Sequence, residues 1–427
     1  MIDHRFLFVI VAAAFIAASF ASPRRSAAEF PAFESLPVRP ELPDPLTALD
    51  GTKITTKEQW QTLRKPELAA LFQHYMYGHL PAAPNITATI TSSNDQFLAG
   101  KATMRQISID LGPKDCPKIE LLLVVPNKRS GAVPVILGLN FEGNHTVHAD
   151  PSILLPKGWM PKGTGVENNR ATDKGRGVQA SRWEIENTID QGFAVATIYY
   201  GDILPDKNDL NDGALPYFRK TKEASPTDVR AIAAWAWGLH RAIDHLLTDK
   251  DIDGKKIVVF GHSRNGKAAL VAGAFDERIA VTIAHQAGCG GSAPSRSINP
   301  KSEPVKRINT VFPHWFNEHF KLFNDATDKL PFDQHCLVAL CAPRPVLFTN
   351  GEKDQWADPA GQLRMLQAAS PVYALHGVKG IDANAAAEHD KLIGDAMGYF
   401  IDPGAHTVTK EHWNVFIKFA NQQFKAK

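Results

Sequence analysis

The first clear pattern along the chain is an apolar run over residues 6–18, behind Met1-Ile2-Asp3-His4-Arg5 and ahead of small residues at Ser19 and Ala21. It is shorter than the roughly 20 residues a membrane span needs. It reads as a Sec-type export leader, residues 1–28, with cleavage after Ala21 or Ala28. Arg24-Arg25 follow the run rather than precede it, so they do not form a twin-arginine signal. No other stretch is apolar for long enough to span a bilayer. Residues 31–45 are Pro-rich and irregular; Thr55-Thr56-Lys57-Glu58 then places a Thr cap and an acidic first turn before a helix that runs to Tyr77 and stops at Gly78.

Beyond that helix the period changes. Residues 88–91 and 102–111 alternate apolar and polar positions and 119–125 follow as a third strand, an antiparallel group. Residues 133–139 are apolar almost without a break, the mark of a strand buried on both faces. From there elements alternate: a helix over 181–191, a strand over 193–199, a helix over 228–247, and strands over 256–260, 279–284 and 346–349. This predicts an α/β fold: a mostly parallel central sheet flanked by helices on both faces, with an N-terminal antiparallel extension, all in one catalytic domain over residues 29–427. Ligands of such sheets bind outside the carboxyl ends of the strands, which points to the loops after Leu139, Phe260, Ala284 and Thr349.

Composition narrows the function by exclusion. The 427 residues are 44% hydrophobic and 22% charged, with a formal net charge of +2 and Lys/Arg spread along the chain, so a nucleic-acid partner is not expected. The four cysteines lack C-x-x-C spacing, which leaves room for one disulfide and argues against a zinc site. His145-Thr146-Val147-His148 is better explained by local hydrogen bonding than by metal, so no metal site is expected.

The chemistry starts at residues 256–272. A strand runs into Gly261-His262-Ser263-Arg264-Asn265-Gly266 and on into helix-forming Lys267-Ala268-Ala269-Leu270, the strand-turn-helix of an α/β-hydrolase nucleophile elbow, with Ser263 as nucleophile. Asn265 stands where the usual pattern has Gly, and its tolerance of unusual backbone angles would preserve the turn. In this fold the acid and the His follow the Ser in sequence. His406, in Pro403-Gly404-Ala405-His406 ahead of the last helix, is the expected base; His412 falls inside that helix and His389 has no strand ahead of it. The strand over 346–349 delivers three carboxylates: Asp354 is the expected acid, Glu352 the alternative, and Asp358 a helix cap before Pro359.

Leu42-Pro43-Asp44-Pro45-Leu46, Gln179-Ala180-Ser181-Arg182-Trp183, Tyr199-Tyr200-Gly201-Asp202, Ser263-Arg264-Asn265-Gly266-Lys267, Arg307-Ile308-Asn309, Pro313-His314-Trp315-Phe316 and Ala342-Pro343-Arg344-Pro345 together resemble the glucuronoyl esterases of carbohydrate esterase family 15, the bacterial members more than the fungal ones. The resemblance implies that Arg264 helps hold the oxyanion, although on the residues alone it could equally form a salt bridge. It also implies sugar contacts from Lys267, Glu303 and Trp356, with Asn309 and Trp315 as further candidates and core packing as the competing reading for Trp315. Where fungal members carry the acid, this chain has Gln286; where they pair cysteines beside the nucleophile and the His, it has His262 and Thr407, so that disulfide is absent.

The implied activity is cleavage, through an acyl-enzyme, of esters of (4-O-methyl-)glucuronic acid that join glucuronoxylan to lignin, without metal or organic cofactor. An acetyl xylan esterase or other carbohydrate acyl-esterase with the same triad is the alternative. The expected setting is periplasmic or secreted, as a monomer, without nucleic-acid or membrane partners once the leader is removed.

Overall fold

The computed structural model describes residues 30–219 and 224–425, and the leader expected over residues 1–28 lies outside them. Its strands are β1 (Thr87–Phe97), β2 (Ala102–Asp110), β3 (Ile119–Pro126), β4 (Val133–Asn140), β5 (Val166–Glu167), β6 (Arg170–Ala171), β7 (Ala194–Tyr199), β8 (Ile252–His262), β9 (Val281–His285), β10 (Val346–Gly351), β11 (Ile393–Gly394) and β12 (Met397–Asp402). Ten of them form one sheet in the order β1-β2-β3-β7-β4-β8-β9-β10-β12-β11, and β5 pairs only with β6. From β7 across to β12 every pairing is parallel. The β1–β3 extension is antiparallel and joins β7 antiparallel. This is the α/β-hydrolase architecture.

The parallel strands are apolar on both faces because helices cover both. Along β4, Val135, Leu137 and Leu139 join one core cluster and Ile136 the other; along β8, Ile257 and Val259 separate in the same way from Val258 and Phe260. The first face packs the helices Ala231–Leu246, Arg264–Phe275, Gln334–Cys341 and Pro359–Leu375, and the second packs Lys410–Lys425 and the short helices near residue 185. Burial of both faces is why these segments read as continuous apolar runs rather than alternating ones.

Three of the structure's departures from the sequence expectations have a clear physical reason. Strand β1 extends well past the residues read as strand and is mostly exposed, as suits an edge strand rich in Thr and Ser. The helix expected over 181–191 is broken at Glu184, which is left-handed at φ 43°, into Ala180–Trp183 and Ile185–Asp190. In an unbroken helix Trp183 and Ile185 would point about 200° apart; the break lets both enter the same core cluster with Ile189. Strand β12 was not anticipated, since its Gly398 weakens the strand signal. That glycine is required by close packing, because a Cβ there would lie 2.6 Å from the Phe419 ring.

Candidate active site

Central strand β8 ends at His262, and Ser263 follows at φ 58° and ψ −126°, a strained conformation for a non-glycine residue. The turn closes because Gly261 has no side chain: a Cβ there would meet the Asn265 carbonyl oxygen at 2.0 Å. Asn265 differs from the sequence reading. It sits inside the helix Arg264–Phe275 and outside the left-handed region, and its Nδ2 donates to the Leu139 carbonyl at 3.1 Å, tying the elbow to the end of β4. Ser263 carries the unusual angles itself.

Ser263, His406 and Asp354 line one cleft of about 280 Å³. His406 follows β12 and Asp354 follows β10, neighbouring parallel strands. His406 Nδ1 donates to Asp354 Oδ2 at 2.6 Å, with the carboxylate side chain 7% exposed and the imidazole 43% exposed. That is the geometry of a carboxylate orienting a general base. Glu352 lies elsewhere: its carboxylate is half-exposed and faces His389 at 3.4 Å. Asp358 caps the helix Pro359–Leu375 by accepting from the Gly361 N–H. His412 is buried in the last helix, 3.2 Å from Asp402.

The loop that carries His406 is held on both sides. Lys353 N–H donates to the Gly404 carbonyl at 2.9 Å, and Gln286 Nε2 donates to the Ala405 carbonyl at 2.8 Å. His285 Nε2 donates to the Thr407 carbonyl at 2.8 Å. Burial, before any charge effect, holds His285 neutral far below the usual histidine range, so its Nδ1 accepts from the Thr349 hydroxyl at 2.7 Å. Gln286 Oε1 accepts from His262 Nε2 at 3.1 Å, and the His262 ring packs 4.5 Å from the His406 ring. His262 is likewise held neutral, chiefly by burial and then by His285.

Arg264 and Lys267 occupy the first turn of the helix Arg264–Phe275, directly after Ser263, and line the cleft. The Lys267 ammonium donates to the Ala287 and Cys289 carbonyls, the latter at 2.6 Å, which commits two of its three donors. Burial pulls its pKa down, and the Glu303 charge opposes that shift. Across the cleft, Glu303 is buried and pairs with Arg307, whose guanidinium lies 5.1 Å from the centre of the Trp356 ring. Trp356 is 47% exposed, and its carbonyl accepts from the Glu303 N–H at 3.0 Å. Trp315 lines the same cleft although buried, stacked 3.8 Å from Phe312.

One sequence candidate is not brought to the cleft. Asn309 lies on the buried side of the helix Val305–Val311, where its Nδ2 donates to Asn324 at 2.8 Å, so the substrate contact expected of it is corrected to a structural role. Conversely, Asp206, Arg307 and Phe312 belong to the surroundings of the site without having been singled out. Arg307 had one available signal, its place four residues after Glu303, which stands just ahead of the helix Val305–Val311. The four cysteines are all unpaired. Of the two histidines weighed for metal, His148 accepts from the Asp150 N–H and packs on Phe97, while His145 is buried separately.

Comparison with known proteins bears on this geometry. Residues 178–377 match the family model described as "Glucuronyl esterase, fungi". The chain is similar to a carbohydrate esterase of an unknown prokaryotic organism, 46% identical over 385 residues and 89% of each chain. It is also similar to 4-O-methyl-glucuronoyl methylesterase 1 of Wolfiporia cocos, 28% identical over 79% of this chain and 72% of that protein. Among solved structures, it superposes on a promiscuous CE15 esterase from a marine bacterial metagenome with a TM-score of 0.84, at 45% identity over 92% of this chain and 99% of that one. The glucuronoyl esterase of Solibacter usitatus also gives 0.84, at 38% identity over 92% of this chain and 100% of that one. With an α/β-hydrolase sheet, a serine elbow at the end of its central strand and this similarity over nearly nine-tenths of its length, the chain belongs to the glucuronoyl esterases of carbohydrate esterase family 15 and is a carboxylic ester hydrolase.

Proposed function

We propose that the cleft hydrolyses esters of (4-O-methyl-)glucuronic acid on glucuronoxylan, releasing the lignin-side alcohol. The observation that carries this reading is Lys267: a buried ammonium with one donor left over, four residues after Ser263 and facing the same cleft. A sugar acid supplies hydroxyl and ring oxygens for that donor, Glu303 accepts from sugar hydroxyls, and exposed Trp356 offers a flat face to the ring. The relative from Wolfiporia cocos is named for this ester class.

In the proposed reaction, His406 Nε2 takes the Ser263 hydroxyl proton as Oγ attacks the ester carbonyl. Asp354 holds the imidazole through Nδ1 and stabilises the imidazolium that forms. The oxyanion is met by the Arg264 guanidinium and by backbone N–H groups at the start of the helix Arg264–Phe275. The intermediate collapses, the alcohol leaves with the proton from His406, and water then releases the glucuronate by the same steps. We also assign the chain to the periplasm or the exterior, acting as a monomer, in keeping with the leader read at residues 1–28 and with a cell-wall polymer as substrate.

The test is a comparison of kcat/KM for a methyl or benzyl ester of glucuronate with that for an acetylated xylo-oligosaccharide. Faster glucuronoyl cleavage is expected. Because a relative at 45% identity is described as promiscuous, some acetate release is compatible, but acetate release as the faster reaction would overturn the substrate assignment in favour of an acetyl esterase.

A further inference from the structure

After β7, the short helix Tyr200–Ile203 leads into Leu204-Pro205-Asp206-Lys207, a segment fixed by a 2.8 Å hydrogen bond from Trp235 Nε1 to the Leu204 carbonyl. Asp206 is turned inward, its side chain 4% exposed. Lys207, next to it, is engaged with Asp209 and Asp212 instead. Both Asp206 oxygens are used: Oδ1 accepts from His314 Nε2 at 2.7 Å and from Trp315 Nε1 at 2.8 Å, and Oδ2 accepts from Arg264 Nη1. One carboxylate thus ties together the nucleophile helix, the loop after Val305–Val311 and the loop after β7. Burial pushes its pKa up, but the His314 hydrogen bond, the Arg264 charge and the Trp315 hydrogen bond together outweigh burial and hold it below the ordinary value.

A buried charge is costly unless paired, and neutral acceptors would serve His314 and Trp315 equally well. Only Arg264 requires the charge. Its guanidinium is seated between that carboxylate and aromatic faces, 4.9 Å from the centre of the Trp315 ring and 5.5 Å from that of Phe312. Nη1 is committed to Asp206, Nε has no hydrogen-bond partner among the described residues, and the side chain remains 30% exposed at the cleft beside Ser263. An arginine held in advance meets developing negative charge without reorganising at the moment of reaction.

We propose that Asp206 is a positioning residue for ester hydrolysis: it anchors the Arg264 guanidinium against the Trp315 and Phe312 rings so that the remaining donors face the oxyanion. This rests on the oxyanion role proposed for Arg264. Asp206 touches no reacting atom, so its removal lowers kcat and leaves KM nearly unchanged, and its effect disappears once Arg264 is gone.

The test is a double-mutant cycle on a methyl ester of glucuronate, with Asp206→Asn, Arg264→Met and the double variant, each shown to be folded by thermal unfolding. Arg264→Met is expected to lower kcat by about 10²–10³-fold, the range for one oxyanion donor. Asp206→Asn is expected to lower it by about tenfold or more with KM within about twofold, and the double variant to match Arg264→Met, as coupled residues do. Asp206→Asn at the wild-type rate, or losses that multiply in full in the double variant, overturn the role of Asp206 alone. Arg264→Met at the wild-type rate overturns the oxyanion reading beneath it. If Asp206→Asn does not fold, Asp206→Glu, which keeps the charge and displaces the carboxylate by one methylene, carries the same cycle with the same outcomes.

Discussion

The loops after β9 and after β10 leave adjacent strand ends, where Thr349 pairs with His285, and both send a side chain to the segment carrying His406. From the first, Gln286 reaches the Ala405 carbonyl, one residue short of the imidazole, and spends its other end on His262. From the second, Asp354 reaches Nδ1 itself at 2.6 Å. One loop therefore fixes where the histidine backbone lies, and the other fixes which way the ring points and which nitrogen carries the proton. The proposed acid and the clamp are separate devices on neighbouring strands, and a neutral amide suffices for the clamp because a backbone carbonyl needs only a donor.

Separating the devices makes the comparison breakable. Asp354→Asn removes the charge that orients His406 and is expected to lower kcat by about 10²–10⁴-fold, as loss of a triad carboxylate does, with thermal stability almost unchanged. Gln286→Ala leaves that pair in place but drops two buried hydrogen bonds; the expected loss is about tenfold in kcat with about 1–3 kcal/mol of stability, at about 0.5–1.5 kcal/mol per bond. If Gln286→Ala is as inactive as Asp354→Asn while still folded, the division of labour is wrong. His262→Phe keeps the ring against His406 and removes only the donor to Gln286. Because burial holds His262 neutral, it should leave the number of ionisations in the kcat/KM profile between about pH 5 and 8 unchanged, at a cost of about 1 kcal/mol in thermal unfolding. Glu352→Gln, two residues from Asp354 but half-exposed against His389, should stay within about twofold of wild type.

Much of this was legible along the chain because it is local. The strand-turn-helix around Ser263 is written in consecutive residues, and the long apolar runs of β4 and β8 announce strands buried on both faces. The order of acid and base after the nucleophile pointed to the ends of β10 and β12, where Asp354 and His406 meet. What was not legible depends on contacts between distant segments. Nothing in Gln286 or His285 shows that they hold residues 405 and 407, more than a hundred positions away. Asp206 reads as an ordinary loop aspartate until His314, Trp315 and Arg264 close around it. The break at Glu184 follows from where Trp183 and Ile185 must both be buried, which no helical period contains. Asn309 was drawn toward the site by its motif, whereas its helix turns it toward Asn324.

The central claim, that this cleft performs serine-based cleavage of glucuronoyl esters, is tested most directly by steady-state hydrolysis of a methyl ester of 4-O-methyl-glucuronate by wild type and Ser263→Ala at matched folded concentration. The expected result is rapid turnover by the wild type and a loss of at least about 10⁴-fold in Ser263→Ala. Turnover by Ser263→Ala within tenfold of the wild type, or no cleavage by the folded wild type, would contradict it.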